Sequence, residues 1–384
     1  MSMLERQPRA TAPLLLDRIW QVNWLLVLLL TAIAGIGFAM LYSAAGGSFQ
    51  PWAEKQMLRF AFGVAGMILV SLVDLRIWLR LAYVIYGLAL VLLVAVEIRG
   101  EIGMGAQRWI DFGFIQLQPS EIMKIALVLA LARYFHGLDM DEIGRPLMLV
   151  VPTALVFAPA ILVMKQPDLG TAIMLIAGGG LIFFIAGVRL WKFAVVLAGI
   201  VVTVPIAWEF LRDYQKKRVI TFLNPEADPL GAGYHIIQSK IALGSGGLFG
   251  KGYLLGSQTH LNFLPEKQTD FIFTMLAEEW GLVGGLVLIG LYALVILYGF
   301  LIALRSRNQF GRLLALGVTS TLFLYAFINC GMVMGLMPVV GVPLALVSFG
   351  GTAMLTVLFG MGLVMGVYVH RDMELNRQGD IGTD

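Results

Sequence analysis

Carboxylates that lead into a long apolar run are the residues whose types and spacing point most directly to chemistry. Residues 263–273 (FLPEKQTDFIF) include Glu266 and Asp270, and Glu278 and Glu279 follow inside the apolar run. An ionised carboxylate at membrane depth costs several kcal/mol unless it faces protein or water. Helix capping is the alternative explanation, but a run of this kind favours a polar cavity in which a carboxylate is available as a general base.

Two other acidic positions lie where apolar runs begin. Glu121 and Lys124 follow a Gln-Pro-Ser sequence, and their i, i+3 spacing places them on one helix face, where they can form an ion pair. A structural ion pair and a functional site fit this spacing equally well. Asp168 precedes a later run, where a carboxylate favourably meets a helix N-terminus, so capping alone would explain it.

Cations and hydroxyl groups recur near the same ends of the apolar runs. Arg108 lies beside Trp109, a pairing that more often anchors a chain at a membrane surface than binds a ligand. Lys240 lies in a polar loop, and Ser348 and Thr352 flank two glycines in the last apolar run. Packing of small residues between helices is the simplest explanation of these two hydroxyl groups.

These polar groups fall on one side of the membrane if the apolar runs cross it in turn. A cavity on that side would suit a substrate with an anionic headgroup and an apolar tail, because cations can hold phosphates while a carboxylate accepts a proton. The substrate-binding candidates are Arg108, Glu121, Lys124, Asp168, Lys240, Glu266, Ser348 and Thr352.

Several familiar kinds of site are excluded by the sequence. The glycine segment 244–252 has Ser245 and Gly252 where a Walker phosphate loop needs a glycine and a hydroxyl residue, so tight turns are the simpler interpretation. No zinc-hydrolase or serine-hydrolase motif occurs, and Cys330 is the single cysteine. The basic residues form short clusters instead of a continuous patch, which argues against a nucleic-acid partner.

The elements that must position these residues are membrane-spanning helices. Of the 384 residues, 59% are hydrophobic and 13% are charged, far less charge than a soluble domain of this size needs. Runs of spanning length cover residues 24–42, 57–73, 80–97, 119–136, 147–165, 169–187, 190–210, 271–303, 313–337 and 343–369. Pro338, Gly341 and Pro343 must divide the uncharged stretch 313–369, which is too long for one helix. The sequence predicts an all-α polytopic membrane protein whose first run is a retained helix, since no small-residue cleavage site follows it.

Ten spans place both termini on one side of the membrane, and the Lys and Arg residues indicate which side. That side carries 14 of them, against at most six in the opposite short loops, so both termini are predicted to be cytoplasmic. The segment 211–270 is then a large outer loop within a single membrane domain, residues 1–384. Within it, the amphipathic residues 234–243 predict an interfacial helix, and residues 244–252 predict a close-packed glycine turn.

Several long motifs resemble those of the SEDS family, named for shape, elongation, division and sporulation. The resemblance runs from about Trp24 to His370, with the motifs in the family's order. They are GAQRWI (105–110), QPSEI (118–122) with Lys124, QPDLGT (166–171), DPLGAGYHIIQSKIALGSGGL (228–248), FLPE (263–266), TDFIF (269–273), PVVGVPL (338–344) and SFGGT (348–352). Residues 234–243 and 261–263 resemble the elongation members of the family more than its division members.

The resemblance implies a peptidoglycan glycosyltransferase. Such an enzyme polymerises lipid II, a disaccharide-pentapeptide on undecaprenyl diphosphate, on the outer face of the bacterial inner membrane, and it releases undecaprenyl diphosphate with inversion. Asp270 matches the family's essential loop aspartate and would be the general base. Arg108 and Lys124, with Lys240 behind them, are candidates for diphosphate contacts, and a divalent cation, Mg²⁺ or Mn²⁺, could share that role.

The partners implied by the resemblance are a class B penicillin-binding protein that crosslinks the strands, the other elongation proteins of rod-shaped cells, and membrane lipids. Two alternatives stay open. A lipid II flippase could use the same outer cavity, although it should carry charged groups through the membrane midplane. A non-catalytic scaffold for the partner synthase would make Asp270 dispensable.

Overall fold

The computed structural model describes residues 21–103, 106–111, 113, 116–210, 216, 220–224, 232–257 and 266–375, so the predicted loop 211–270 is described only in part. In chain order the elements are α1 (Trp24–Ala44), α2 (Ala53–Leu72), α3 (Leu75–Arg99), β1 (Glu101–Gly103), β2 (Ala106–Asp111), β3 (Gln116–Leu117), α4 (Pro119–His136), α5 (Met140–Ile143), α6 (Val150–Lys165), α7 (Leu169–Ile185), α8 (Leu190–Phe210), α9 (Ala232–Ser245), α10 (Ile272–Arg305), α11 (Gln309–Val333) and α12 (Gly351–Val369). Apart from the short helices α5 and α9, these helices follow the ten predicted spans in order. The all-α polytopic fold is confirmed.

The composition of the helices is that of membrane spans. Within the described part of the chain, seven helical segments are long and apolar enough to cross a bilayer, and α7 and the first part of α8 are shorter apolar helices. Helix α4 carries Glu121, Lys124 and Arg133, yet it is buried along nearly its whole length. It packs against α3, α7 and α11, so Glu121 and Lys124 lie inside the bundle, where they need partners from the protein.

Short polar side chains cap the start of several helices. The Asn23 side chain accepts a hydrogen bond from the Leu26 amide at the start of α1, and Asn308 does the same for Gly311 at the start of α11. Asp168 caps α7 by accepting from the Thr171 amide at 3.1 Å. These caps satisfy amides that have no partner within the helix, and they fix where each helix begins.

The eighth predicted span, residues 271–303, is not one continuous helix. Gly281 within α10 has φ 68° and ψ −162°, a conformation that favours glycine and breaks the helix. Glu279 contacts Ser43 in the last turn of α1, whereas Tyr298 contacts Asn23 at the other end of α1. The part of α10 after Gly281 therefore crosses the membrane beside α1, and the part before it lies at the outer end.

The glycine turn predicted at residues 244–252 is confirmed, and it explains the break in α10. A Cβ atom at Gly246 would lie 2.0 Å from the Ala277 carbonyl oxygen, so only glycine permits this approach. The amides of Leu282 and Val283, left without partners by the break, donate to the carbonyls of Gly247 and Leu248. Residues 244–252 thus wrap the break and replace its lost helical hydrogen bonds.

The amphipathic segment 234–243 forms a helix, as predicted, within α9. Its buried face includes Ile236, Ser239 and Ala242, and it packs on the first part of α10. The Ser239 hydroxyl lies 2.8 Å from the Thr274 hydroxyl and donates to the Val333 carbonyl. Helix α9 is therefore fastened to the outer ends of α10 and α11.

The tenth predicted span, residues 343–369, begins too early. Helix α12 starts only at Gly351, and residues 336–350 form an irregular segment in which Gly341 has φ 71°. Pro338 and Pro343 cannot donate helical hydrogen bonds, which keeps this stretch non-helical. Irregular backbone at membrane depth is tolerated where neighbouring protein groups satisfy its polar atoms.

A three-stranded antiparallel sheet, β1-β2-β3, lies between α3 and α4. The sequence analysis did not predict it, because its strands are only two to six residues long and carry no extended alternation. Strand β2 contains Arg108. The sheet therefore holds one of the predicted site residues at the outer end of the bundle.

Candidate active site

Asp270 lies in a turn formed by residues 266–271, directly before α10. Hydrogen bonds to the irregular segment before α12 hold this turn. The Ser348 hydroxyl donates to the Thr269 carbonyl at 2.6 Å, and the Phe349 amide donates to the Gln268 carbonyl at 2.8 Å. The position of Asp270 is thus fixed by backbone contacts between two non-helical segments.

Asn329, in the last turns of α11, completes this arrangement. Its side-chain amide donates to the carbonyls of Asp270, at 2.9 Å, and Val342, at 2.7 Å. Asn329 is fully buried. Asn329 was not predictable from a motif, because it is a single asparagine in an apolar run, although a polar amide in a membrane helix is itself a signal of a required hydrogen bond.

The Asp270 carboxylate is half-buried, and its surroundings favour the protonated form. Its pKa is raised from the ordinary 3.8 to about 6, chiefly by burial and then by the charges of Glu266 and Asp168, against the opposing effect of Arg108. These four predicted site residues are therefore close enough to act on one another electrostatically. At neutral pH most of Asp270 is still ionised, so it can accept a proton.

Glu266 begins the turn that carries Asp270. It has φ 54°, in the left-handed region, and its carboxylate accepts from the Thr269 hydroxyl at 3.1 Å and from the Gln268 side chain at 3.3 Å. The charge of Glu266 raises the pKa of Asp270, and its hydrogen bonds hold the turn. The role of Glu266 as a substrate-binding residue stays a prediction.

Arg108 reaches the start of α7. Its guanidinium donates to the carbonyls of Gln166 and Pro167, and its Nε lies 3.9 Å from Asp168 Oδ2. The Asp168 side chain also accepts from the Thr171 hydroxyl at 2.9 Å, in addition to its capping bond. Arg108 is therefore a partly exposed cation held at the same opening as Asp270, which is compatible with the predicted contact to phosphate.

Glu121 and Lys124 form the ion pair that their spacing allows. Lys124 Nζ lies 2.7 Å from Glu121 Oε1, and both side chains are 3% exposed. The hydroxyl of Tyr325, on α11, donates to Glu121 and accepts from Lys124. In this structure the pair joins α4 to α11 inside the bundle, and a direct contact of Lys124 with substrate stays a prediction.

The remaining predicted binding residues contact neighbouring elements of the bundle. The Thr352 hydroxyl donates to the Gln116 carbonyl at 2.8 Å, joining α12 to β3. Lys240 is exposed on α9, and its side chain lies over Gly335, at the end of α11. The Ser348 and Thr352 hydroxyls thus donate hydrogen bonds to main-chain carbonyls, whereas the Lys240 side chain is exposed.

Glu278 and Glu279, the deeper members of the carboxylate run, are both buried and fasten the glycine turn to α10. Lys251 Nζ lies 2.7 Å from Glu278 Oε1. Glu279 accepts from the Ser43 hydroxyl and from the Leu254 amide. These partners satisfy the two buried carboxylates, which explains how charged groups are tolerated within an apolar run.

Among the residues that the structure describes, no three His, Cys, Asp or Glu side chains come close enough to hold a metal ion. The acidic side chains at the opening instead interact with one another and with Arg108.

The comparisons with known proteins agree with the motifs. A model of the FtsW/RodA/SpoVE family, described as cell cycle protein, matches residues 23–373. Over 353 residues the chain is 46% identical to the peptidoglycan glycosyltransferase MrdB of Escherichia coli K12, covering 91% of this chain and 94% of that protein.

Two solved structures share the fold. One is a chain from a peptidoglycan synthase complex described as coordinating polymerization and crosslinking, with 35% identity, a TM-score of 0.80, and coverage of 92% of this chain and 99% of that one. The other is the rod shape determining protein RodA of Thermus thermophilus, with 30% identity, a TM-score of 0.70, and coverage of 92% and 98%. The chain belongs to the FtsW/RodA/SpoVE family of multi-pass membrane proteins, the family that its motifs resemble.

Proposed function

We propose that this protein polymerises lipid II into peptidoglycan strands on the outer face of the bacterial inner membrane during cell elongation. The observation that carries the proposal is a half-buried carboxylate, Asp270, held by Asn329 and Ser348 at the outer end of the bundle beside a guanidinium. The names of the relatives, which are peptidoglycan glycosyltransferases, support the same reaction. We infer a role in elongation from the similarity to MrdB and RodA.

The chemistry follows from the position of Asp270. The 4-hydroxyl oxygen of the acceptor attacks the anomeric carbon of the growing strand, and Asp270 accepts the proton from that hydroxyl. The bond from the anomeric carbon to the diphosphate breaks, and undecaprenyl diphosphate leaves with both bonding electrons. Attack from the opposite face inverts the configuration. The leaving group carries its own negative charge, so it needs cations such as Arg108 instead of a general acid.

A divalent cation, Mg²⁺ or Mn²⁺, is proposed to arrive with the diphosphate of the substrate. Such an ion would neutralise charge on the leaving group. A class B penicillin-binding protein is the proposed partner, supported by the similarity to a chain of a synthase complex that couples polymerization to crosslinking.

The test is polymerisation of labelled lipid II by the purified protein with its partner. Asp270→Asn should abolish polymer formation while the complex still assembles, because the amide cannot accept the proton. Glu54→Gln is the matched control, since Glu54 is an exposed carboxylate at the outer end of α2. Full activity of Asp270→Asn would exclude the general-base role. Lipid II movement across vesicles without polymer would indicate the flippase, and an inactive wild type with intact partner binding would indicate the scaffold.

A further inference from the structure

Arg59, on the second turn of α2, has no role in the proposed reaction as described above. Its guanidinium carbon lies 5.1 Å from the centre of the Phe349 ring. It also lies against Gly351, where a Cβ atom would come within 3.0 Å of that carbon. The absence of a side chain at Gly351 therefore makes room for the Arg59 guanidinium at the start of α12.

Within the described part of the chain, no carboxylate neutralises the charge of Arg59. Other cations near the outer end have acidic partners: Lys124 pairs with Glu121, Lys251 with Glu278, and Arg108 lies 3.9 Å from Asp168. No carboxylate oxygen among the described residues lies within 4.0 Å of Arg59, whose side chain is partly buried. A partly desolvated guanidinium without an acidic partner is favourable where an anionic ligand supplies the missing charge.

Contacts on the same face of α2 connect Arg59 to the turn that carries Asp270. Gln56, one turn before Arg59, donates to the Ser348 carbonyl at 2.9 Å. Phe349, under the guanidinium, donates its amide to Gln268, two residues before Asp270. Arg59 thus approaches the site from α2 and α12, whereas Arg108 approaches from β2 and the start of α7.

The proposed polymerisation requires two anion subsites, because the growing strand and the incoming lipid II each carry a lipid diphosphate. The diphosphate of the growing strand is bonded to the carbon under attack, so it must lie near Asp270, where Arg108 acts. The diphosphate of lipid II is separated from its reacting 4-hydroxyl by the length of a disaccharide. The diphosphate of lipid II must therefore bind farther from Asp270 than the diphosphate of the growing strand does.

We propose that Arg59 binds the diphosphate of the incoming lipid II, forming an acceptor subsite separate from Arg108. This inference rests on the proposed function, and it names the substrate group that Arg59 contacts. Arg59 donates N–H groups to phosphate oxygens, while the Phe349 ring supports the plane of the guanidinium.

The test compares Arg59→Gln with Lys55→Gln, which removes an exposed cation one turn away on the same helix. Losing a charge-assisted contact should raise the KM for lipid II by about 10-fold to 100-fold with little change in kcat. Arg59→Lys should restore part of the affinity. Lys55→Gln should leave the KM unchanged. Phe349→Leu, which retains the cation, should raise the KM less than Arg59→Gln does.

An unchanged KM in a folded Arg59→Gln protein would overturn the proposal, as would a loss confined to kcat. Equal defects in Arg59→Gln and Phe349→Leu would show that Arg59 only braces the segment. If Arg59→Gln does not fold, the KM of Arg59→Lys decides the matter. Binding of undecaprenyl diphosphate to wild type and variant is measured in parallel. Weaker binding to the variant supports the Arg59 subsite even if the wild type forms no polymer, which would refute only the proposed function.

Discussion

Replacing Asp270 with asparagine should stabilise the fold while it destroys activity. The pKa of Asp270 is raised from 3.8 to about 6, first by burial. The folded protein therefore binds this proton more tightly than the unfolded chain does, and stability falls as pH rises from about 4 to about 6. A shift of this size corresponds to at most about 3 kcal/mol at neutral pH, less where solvent screens the charge.

Asparagine has nearly the shape of aspartate but carries no charge, so it removes this cost. We expect Asp270→Asn to unfold at a temperature several degrees above that of the wild type at pH 7.5, with the difference disappearing near pH 4. Activity should fall by about 10²-fold to 10⁴-fold, the usual contribution of a general base. Thermal unfolding in detergent at one fixed scan rate measures the first quantity, because membrane proteins often unfold irreversibly.

The dependence on pH is what separates this explanation from a general effect of the substitution. Glu54→Gln, at an exposed carboxylate, should show little change in unfolding temperature at either pH. A lower unfolding temperature of Asp270→Asn at pH 7.5 would refute the reasoning. A stabilisation of equal size at both pH values would refute it as well, because the effect would not then come from ionisation of Asp270.

Three further predictions concern the neighbours of Asp270. In a pH–rate profile, kcat/KM of the wild type should rise through about pH 6 as Asp270 loses its proton, and Glu266→Gln should move the midpoint to lower pH, since the Glu266 charge raises the Asp270 pKa. Asn329→Ala leaves two buried carbonyls without their donor, so denaturation should show a loss of about 1–3 kcal/mol and kinetics a lower kcat. Lys124→Met strands the buried Glu121 carboxylate and should cost about 3–5 kcal/mol, partly recovered by adding Glu121→Gln.

Each of these predictions has a result that would contradict it. A Glu266→Gln profile with an unchanged midpoint would show that Glu266 does not act on Asp270. Asn329→Ala with wild-type kcat would show that the turn keeps its position without the amide. If the double variant at positions 121 and 124 is no more stable than Lys124→Met alone, the buried charge is not the origin of the loss.

The helices were predictable because their signal is local. An apolar run of about 20 residues can satisfy its backbone in a bilayer only as a helix, so the order of the ten spans follows from composition. The break at Gly281 was not predictable in the same way. Its flanking residues are apolar, and the partner that stabilises it, the glycine turn of residues 244–252, lies far away in sequence.

The charged residues of the site were partly predictable, because burying an ionised side chain costs free energy. Asp270 and Glu266 stand out because ionised groups at membrane depth require a reason, whereas capping and membrane anchoring would by themselves explain Asp168 and Arg108. The structure places all four close together. The hydrogen bonds that hold Asp270 in place were not predictable from the sequence. Asn329 acts through two main-chain carbonyls, and such contacts depend on where the turn of residues 266–271 and the segment before α12 meet.

The irregular segment before α12 is the feature that makes a polar opening possible at this depth. A continuous helix from Pro343 would satisfy its own backbone and would need no donors from neighbouring helices. Because the prolines prevent this, the carbonyls of the segment need donors, and Asn329 and Gln56 supply them from the neighbouring helices. The same segment then supplies donors in return, through Ser348 and Phe349, to the turn that carries Asp270. The position of the proposed catalytic carboxylate is thus set by hydrogen bonds that exist because one span begins late.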